Sequence, residues 1–349
     1  MPTPPVSDRY ASTVGFVVAG VGLAATLLDW APAADTVAHA ATACAAVATL
    51  AFAGRRHGTG PAWLSGVGTG AGGALSLTAA AALLSMTGPV TAGPAVALFA
   101  GIGVIGAGLA AVAGVGADGV RARERAVGVA VVVSAGALVA SSLLAAIAAG
   151  IAPDAPTVAY PVRAAVSSVG LGIVGVVFVR ASDVAGIDTP TVTRRDVGVA
   201  AGGVGAIFAL HLGLNVVVTA LSLPQTQHGL IEAARKTPAM LVPLAVVSLV
   251  FVAPGEELLA RNAVQKYLYD AYSRRSAVVV ASFVFAASHL LAYAGTAAPG
   301  AVMVALARVF VVSLVLGVAY ERTDNLLAPI VIHGVYDAVQ FGLAYWQFT

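Results

Sequence analysis

Six residues in the second half of this chain are charged or titratable where their neighbours are not. Glu256 and Glu257 follow the apolar run 240–252, in PGEELLARNAV (254–264), with Arg261 close behind. His289 closes FAASH, and His333 and Asp337 bound HGVYD. Glu257 and Arg261 are four apart, so on a helix they share a face and can form an ion pair. Glu256 is turned about 100° away from that face and escapes the arginine. One glutamate then reads as structural and the other as reactive. Phe285 and His289 share a face by the same spacing. So do His333 and Asp337, which lets Asp337 orient the imidazole or share a ligand or substrate contact. A carboxylate with two imidazoles is a water-activating set. Glu256 can take a proton from water while an imidazole holds an oxyanion or protonates a leaving amine. The same three residues, Glu256, His289 and His333, could instead bind a divalent metal, zinc most naturally. The HExxH spacing is absent, so spacing does not select the metal version.

The elements that must position these residues are set by composition. The chain has 349 residues, of which 59% are hydrophobic and 10% charged, with a mean hydropathy of +0.93. Soluble domains carry about 25% charged residues, so this is an all-α, polytopic integral membrane helix bundle whose solvent is the lipid bilayer. The net charge of +2 gives no sign of a nucleic-acid partner, and the single cysteine, Cys44, excludes an internal disulfide. Arginine far outnumbers lysine beside abundant Ala, Gly and Val, which suggests a prokaryotic source and hence the plasma membrane.

Apolar runs predict about eleven transmembrane helices at about 20 residues each: 11–30, 35–53, 62–86, 92–116, 126–151, 160–179, 197–222, 239–271, 276–294, 300–320 and 326–347. The start MPTPPVSDRY with its apolar sequel resembles a signal peptide, but spans continue at once, so an uncleaved first span is expected. Basic residues gather in every second loop: Arg9, Arg55 and Arg56, then Arg121, Arg123 and Arg125, then Arg180, Arg194 and Arg195, then Lys266, Arg274 and Arg275, then Arg322; in the loops between, Arg235 and Lys236 are the main exception. This alternation predicts a cytoplasmic N-terminus. Two regions follow, parted by the polar link VRASDVAGIDTPTVTRRD: a membrane domain of about six helices over 1–182, with no role legible, and 195–349, which holds nearly all the intramembrane polar chemistry. The stretch PQTQHGLIEAARKTP, 224–238, is expected to form a short interfacial helix.

Ionisable groups in a bilayer cost about 2.5–3.5 kcal/mol each by insertion scales and face protein or a wet cavity. At about 1.5 Å per residue, Glu256, His289 and His333 lie about 22, 20 and 12 Å from the inner ends of their spans, so all three can meet. His211 and Asn215 in HLGLN repeat the His-x-x-x-Asn spacing and read as helix packing. Arg308 either neutralises Glu257, the structural reading, or holds a substrate carboxylate. These residues alone also admit a proton-coupled secondary transporter or a non-catalytic scaffold of the immunity type.

Taken together, EELLAR, FAASH and HGVYD resemble the three motifs of the CPBP intramembrane proteases, also called the CAAX prenyl protease or Abi family. The flank GVAYERTDNLLAPIVIHGVYDAV is similar to the family's approach to its last motif. The resemblance covers about 195–349 and rests on the order, spacing and membrane setting of the motifs. It implies an intramembrane endopeptidase, often labelled a metalloprotease, acting on a membrane-associated protein or peptide such as a prenylated CAAX protein. In this sequence it implies catalytic roles for Glu256, His289 and His333 with Asp337 in support, and a scaffold of Glu257, Arg261 and Phe285. It assigns no certain cofactor; the divalent metal, zinc above all, stays open. Ala260 and Asn262 depart from the family's usual residues and are expected to lie away from the chemistry.

Overall fold

In lipid every backbone N–H and C=O must be satisfied within its own segment, so long apolar runs can only coil. The computed structural model describes residues 9–31, 33–88, 90–188, 192–295 and 297–349, and these are helical without a strand. The helices are α1 Tyr10–Ala25, α2 Asp35–His57, α3 Leu64–Ser85, α4 Ala92–Val112, α5 Ala117–Ile151, α6 Pro156–Ala181, α7 Arg194–Ala220 and α8 Gly229–Ala234. There follow α9 Pro238–Leu268, then α10 Arg274–Ser288, α11 Leu290–Ala294, α12 Pro299–Thr323 and α13 Leu327–Phe348. Among the described residues, nine of these are long and apolar enough to cross a membrane, and α1 is a shorter apolar helix. The polytopic all-helical class read from composition is therefore the class observed.

Three spans differ from their sequence reading, the first being 11–30, whose helix α1 ends at Ala25 after 16 residues. The arginines Arg121, Arg123 and Arg125 lie inside α5 and not in a loop before it. Residues 117–125 contain one glycine and no proline, so nothing stops the coil where the apolar run begins. At 35 residues and about 1.5 Å per residue, α5 outruns a bilayer core of about 30 Å. The predicted single span 276–294 is instead broken at His289 into α10 and α11. The start at 1–8, where the leader-like reading falls, lies outside the described residues.

Contacts divide the chain into two units, the first holding residues up to Glu124 with two short later pieces, the second holding the rest. In the first, α1 packs on α2, α2 on α3 and α3 on α4, and α4 returns to α1. Small residues let these backbones close up. A Cβ built on Gly101 would fall 2.7 Å from the Gly72 carbonyl oxygen, and one on Gly68 would fall 2.5 Å from the Phe52 ring.

In the second unit α9 is the hub, packed by α6, α10 and α13, while α7 packs on α13. Thr193 caps α7, taking the Asp196 N–H on its hydroxyl while the Asp196 carboxylate takes the Thr193 N–H, a reciprocal capping box. The α9 coil is irregular: it widens into π turns over Ser248–Val252 and Leu258–Gln265, either side of the Glu256–Glu257 turn. Pro254 lacks an N–H, and its ring would clash with the carbonyl four residues back, so the first π turn sits where the ladder must be relaxed. Wide turns of this kind gather at functional sites.

Candidate active site

Gly255 brings α9 to its site. A Cβ at that position would lie 2.3 Å from the Ser168 carbonyl oxygen of α6, so only glycine permits this approach. The two glutamates that follow diverge as their 100° separation requires. Glu257 is fully buried and turned into protein. Its Oε2 accepts from Arg261 Nε at 2.8 Å, and its Oε1 accepts from His333 Nδ1 at 2.8 Å. Arg261, equally buried, also donates to Ser313 Oγ at 2.9 Å and to Gln265 Oε1 at 3.4 Å. Gln265 passes the network on to the Gly317 carbonyl at 3.0 Å, which ties α9 to α12. Every charge in this cluster is paired, which is the condition on which buried charge is tolerated.

Glu256 points instead into a cavity of about 780 Å³ within the second unit, lined also by His289, His333 and Asp337. Its Oε2 lies 3.9 Å from His289 Nε2, and the Glu256 side chain keeps 19% of its surface open. His289 ends α10 because its own ring takes the place of the next backbone donor. Nδ1 bonds the Phe285 carbonyl at 2.8 Å, and the Ser288 hydroxyl donates to the same oxygen at 2.7 Å. Non-helical backbone at membrane depth is tolerated where it borders such a cavity.

The hydrogen bonds settle which nitrogens carry protons. A carbonyl only accepts, so His289 Nδ1 is the protonated nitrogen, and a neutral ring offers its Nε2 lone pair toward Glu256. Glu257, already ionically bound to Arg261, likewise only accepts, so His333 Nδ1 donates to it. His333 Nε2 faces Asp337 Oδ2 at 3.5 Å, and Asp337 is fixed by the Ser248 hydroxyl at 2.6 Å. With carboxylates at both nitrogens, His333 is set up to donate on both sides. Phe285 packs among these groups, 4.6 Å from the His289 ring, 6.4 Å from the His333 ring and 5.3 Å from the Arg261 guanidinium carbon.

Several residues sit differently from their sequence reading. His211 and Asn215, read as packing, line the cavity, and His211 Nδ1 hydrogen-bonds the Tyr336 hydroxyl at 3.0 Å. Ala260 lines it too, its methyl leaving space that a larger side chain would fill. Arg308 is on the cavity wall. Asn262 is buried and holds the polar link after α6, accepting the Asp188 N–H at 2.8 Å and donating to the Gly186 carbonyl at 3.0 Å. Lys266 and Tyr320 also bind Asp188; residues 189–191 of that link lie outside the described residues. Ser248 and Ser313 carried no sequence signal, being ordinary small residues in apolar helices. The stretch 224–238 holds the six-residue α8, and Thr226, Gln227 and His228 line the cavity.

Among the described residues, no three His, Cys, Asp or Glu side chains converge closely enough to hold a metal ion. Glu256, His289 and His333 as placed do not make a closed ligand set.

Residues 238–339 match the family model Rce1-like, described as type II CAAX prenyl endopeptidase Rce1-like. This agrees with the family resemblance of EELLAR, FAASH and HGVYD, all of which fall inside the matched segment. No curated protein and no solved structure matches the chain.

Proposed function

Proceeding from the CAAX-type endopeptidase match of residues 238–339, we propose that this protein is a glutamate-dependent intramembrane endopeptidase. Its substrate is a membrane-associated protein or peptide, prenylated CAAX-like proteins included. The carrying observation is that Glu256 Oε2 and His289 Nε2, both acceptors, stand 3.9 Å apart in a cavity. That separation lets one water donate a hydrogen to each, which leaves its oxygen lone pair free for a substrate carbonyl.

The water oxygen bonds to the carbonyl carbon, its proton passes to Glu256, and the carbonyl π pair moves onto oxygen. The His333 Nε2–H, whose contact with Asp337 is a long 3.5 Å, turns to that oxyanion while Glu257 keeps Nδ1, a preorganised donor of the kind that is worth a few kcal/mol in a water-poor site. The π bond then re-forms, the C–N bond breaks with its pair on nitrogen, and the departing amine takes the proton from Glu256. Glu257, Arg261 and Phe285 touch no reacting atom in this scheme; they hold His333 and the α9 turn in place. Placement of the cavity in a plasma membrane, with a cytoplasmic N-terminus, belongs to the same reading. So does the division into a membrane domain over 1–182 and a protease domain over 195–349.

The test is a comparison of membrane-protein C-termini between cells making the natural protein and cells making Glu256→Gln. A defined set of proteins should keep longer C-termini in the variant at equal expression. Identical termini in both would remove the hydrolytic reading. Metal dependence has its own measurement: after chelation, activity persists if the side chains suffice and vanishes if Glu256, His289 and His333 work around zinc.

A further inference from the structure

The cavity holds a further histidine, upstream of the family-matched segment. His228 starts α8, and its Nδ1 accepts the Leu230 N–H at 3.1 Å. A neutral imidazole that accepts at Nδ1 carries its proton at Nε2. This tautomer is opposite to that of His289, whose proton is committed to the Phe285 carbonyl. The ring stands edge-on to Tyr293, with centroids 5.3 Å apart, and Tyr293 lies in α11, the short helix that starts directly after His289. Gly229 passes the same helix: a Cβ built there would lie 3.6 Å from the Ala292 carbonyl oxygen. His228 therefore borders the cavity beside the residues that hold the proposed water. Among the described residues, nothing takes a hydrogen bond from its Nε2. Burial first, and then the neighbouring His289, hold its pKa down to about 4, so the ring is a neutral donor at ordinary pH.

Hydrolysis within helices is short of donors. Helical backbone N–H groups are already bonded, so stabilisation of an oxyanion falls to side chains. Asp337, one turn from His333, takes the Ser248 hydroxyl and as a carboxylate only accepts. We infer that His228 Nε2–H is a second donor to the scissile carbonyl oxygen, working with His333 on the developing oxyanion. The proton stays on His228 throughout: it shortens its bond as the π pair moves to oxygen and relaxes as the pair returns and the C–N bond breaks. This inference rests on the endopeptidase reading.

The two ring nitrogens can be separated by substitution in the full chain. His228→Asn keeps an acceptor near the Nδ1 position, and so keeps the cap, but loses the Nε2 donor. His228→Gln places an amide N–H near the Nε2 position and gives up the cap. With an internally quenched, farnesylated CAAX-type peptide as probe, kcat should fall about 100-fold in the Asn variant, with KM little changed. The Gln variant should stay within about tenfold of the natural protein. A capping or packing role gives the reverse order, and that order overturns the inference. Should the natural protein leave the probe uncut, the endopeptidase reading fails on its own, and binding of a phosphinate analogue of the peptide decides about His228. The inference requires the natural protein and the Gln variant to bind this tetrahedral anion at least about tenfold more tightly than the Asn variant. Equal affinities, or no binding by any of them, overturn it.

Discussion

Within the α1–α4 unit the tight contacts are glycine against backbone or ring, as at Gly101 and Gly68. Its buried polar side chains, among the described residues, are Ser12 and Ser65. Within the α9-centred unit glycine also brings helices together, as at Gly255, but there charged and amide side chains are buried as well: Glu257, Arg261, Asn262, Gln265 and His333. Both units face the same solvent. Lipid gives helices no hydrophobic reason to associate, so small-residue packing suffices where cohesion is the whole task. A buried ion network costs desolvation and often stabilises no better than apolar packing would. Its presence around α9 alone is explained by what it holds: the His333 ring, from which Glu257 Oε1 is 2.8 Å away. Shape alone holds the first unit together, whereas around α9 shape and paired charge act together.

Substitutions can break that contrast. The largest effect is expected at Glu257→Gln, which leaves Arg261 charged in a dry site. Thermal unfolding in detergent should report a loss of about 3–5 kcal/mol, together with loss of turnover. Adding Arg261→Met should recover part of the stability without recovering activity, and full additivity of the two changes would deny the pairing. Gly101→Leu in the first unit comes next. Overpacking should cost about 1–3 kcal/mol while leaving per-molecule turnover unchanged, and a drop in kcat at that position would show that the two units do not divide labour. Ser248→Ala should cost about 1 kcal/mol and slow turnover a few-fold, measured with the same peptide, because Asp337 loses the hydroxyl that fixes it. A stability effect that is absent at neutral pH and grows only in acid belongs to His228. Its folded-state pKa is depressed to about 4, so the unfolded chain binds a proton that the folded chain refuses. Stability should therefore fall as pH drops from about 6.5 toward about 4, and His228→Asn should flatten that limb of a stability-versus-pH curve.

Much of the helix layout was legible because a run of apolar residues has one workable conformation in lipid. The run 239–271 appears as Pro238–Leu268, and 326–347 as Leu327–Phe348. The break at His289 was not legible, since FAASHLLAYA stays apolar through it. The stop comes from a ring bonding back to the Phe285 carbonyl, which no periodicity records. The α5 extension was hidden for a related reason: hydropathy marks where lipid ends, and a coil rich in arginine and alanine continues into water. In the candidate site the four-residue pairs could be read off spacing. The partners that complete them, Ser248 on Asp337 and Ser313 on Arg261, lie 89 and 52 residues away, and serine in a membrane helix is too common to signal anything.

By itself the amino-acid sequence determined the solvent of this protein, the run of its helices, and the split of Glu256 from Glu257 onto different faces, since these follow from local hydropathy and a 100° turn. Only the tertiary structure decided which nitrogen of each histidine faces the cavity and that His333 is the second partner of Glu257. It also decided that a histidine upstream of the motifs joins them, because proton placement is set by whichever acceptor a distant segment brings within hydrogen-bonding reach.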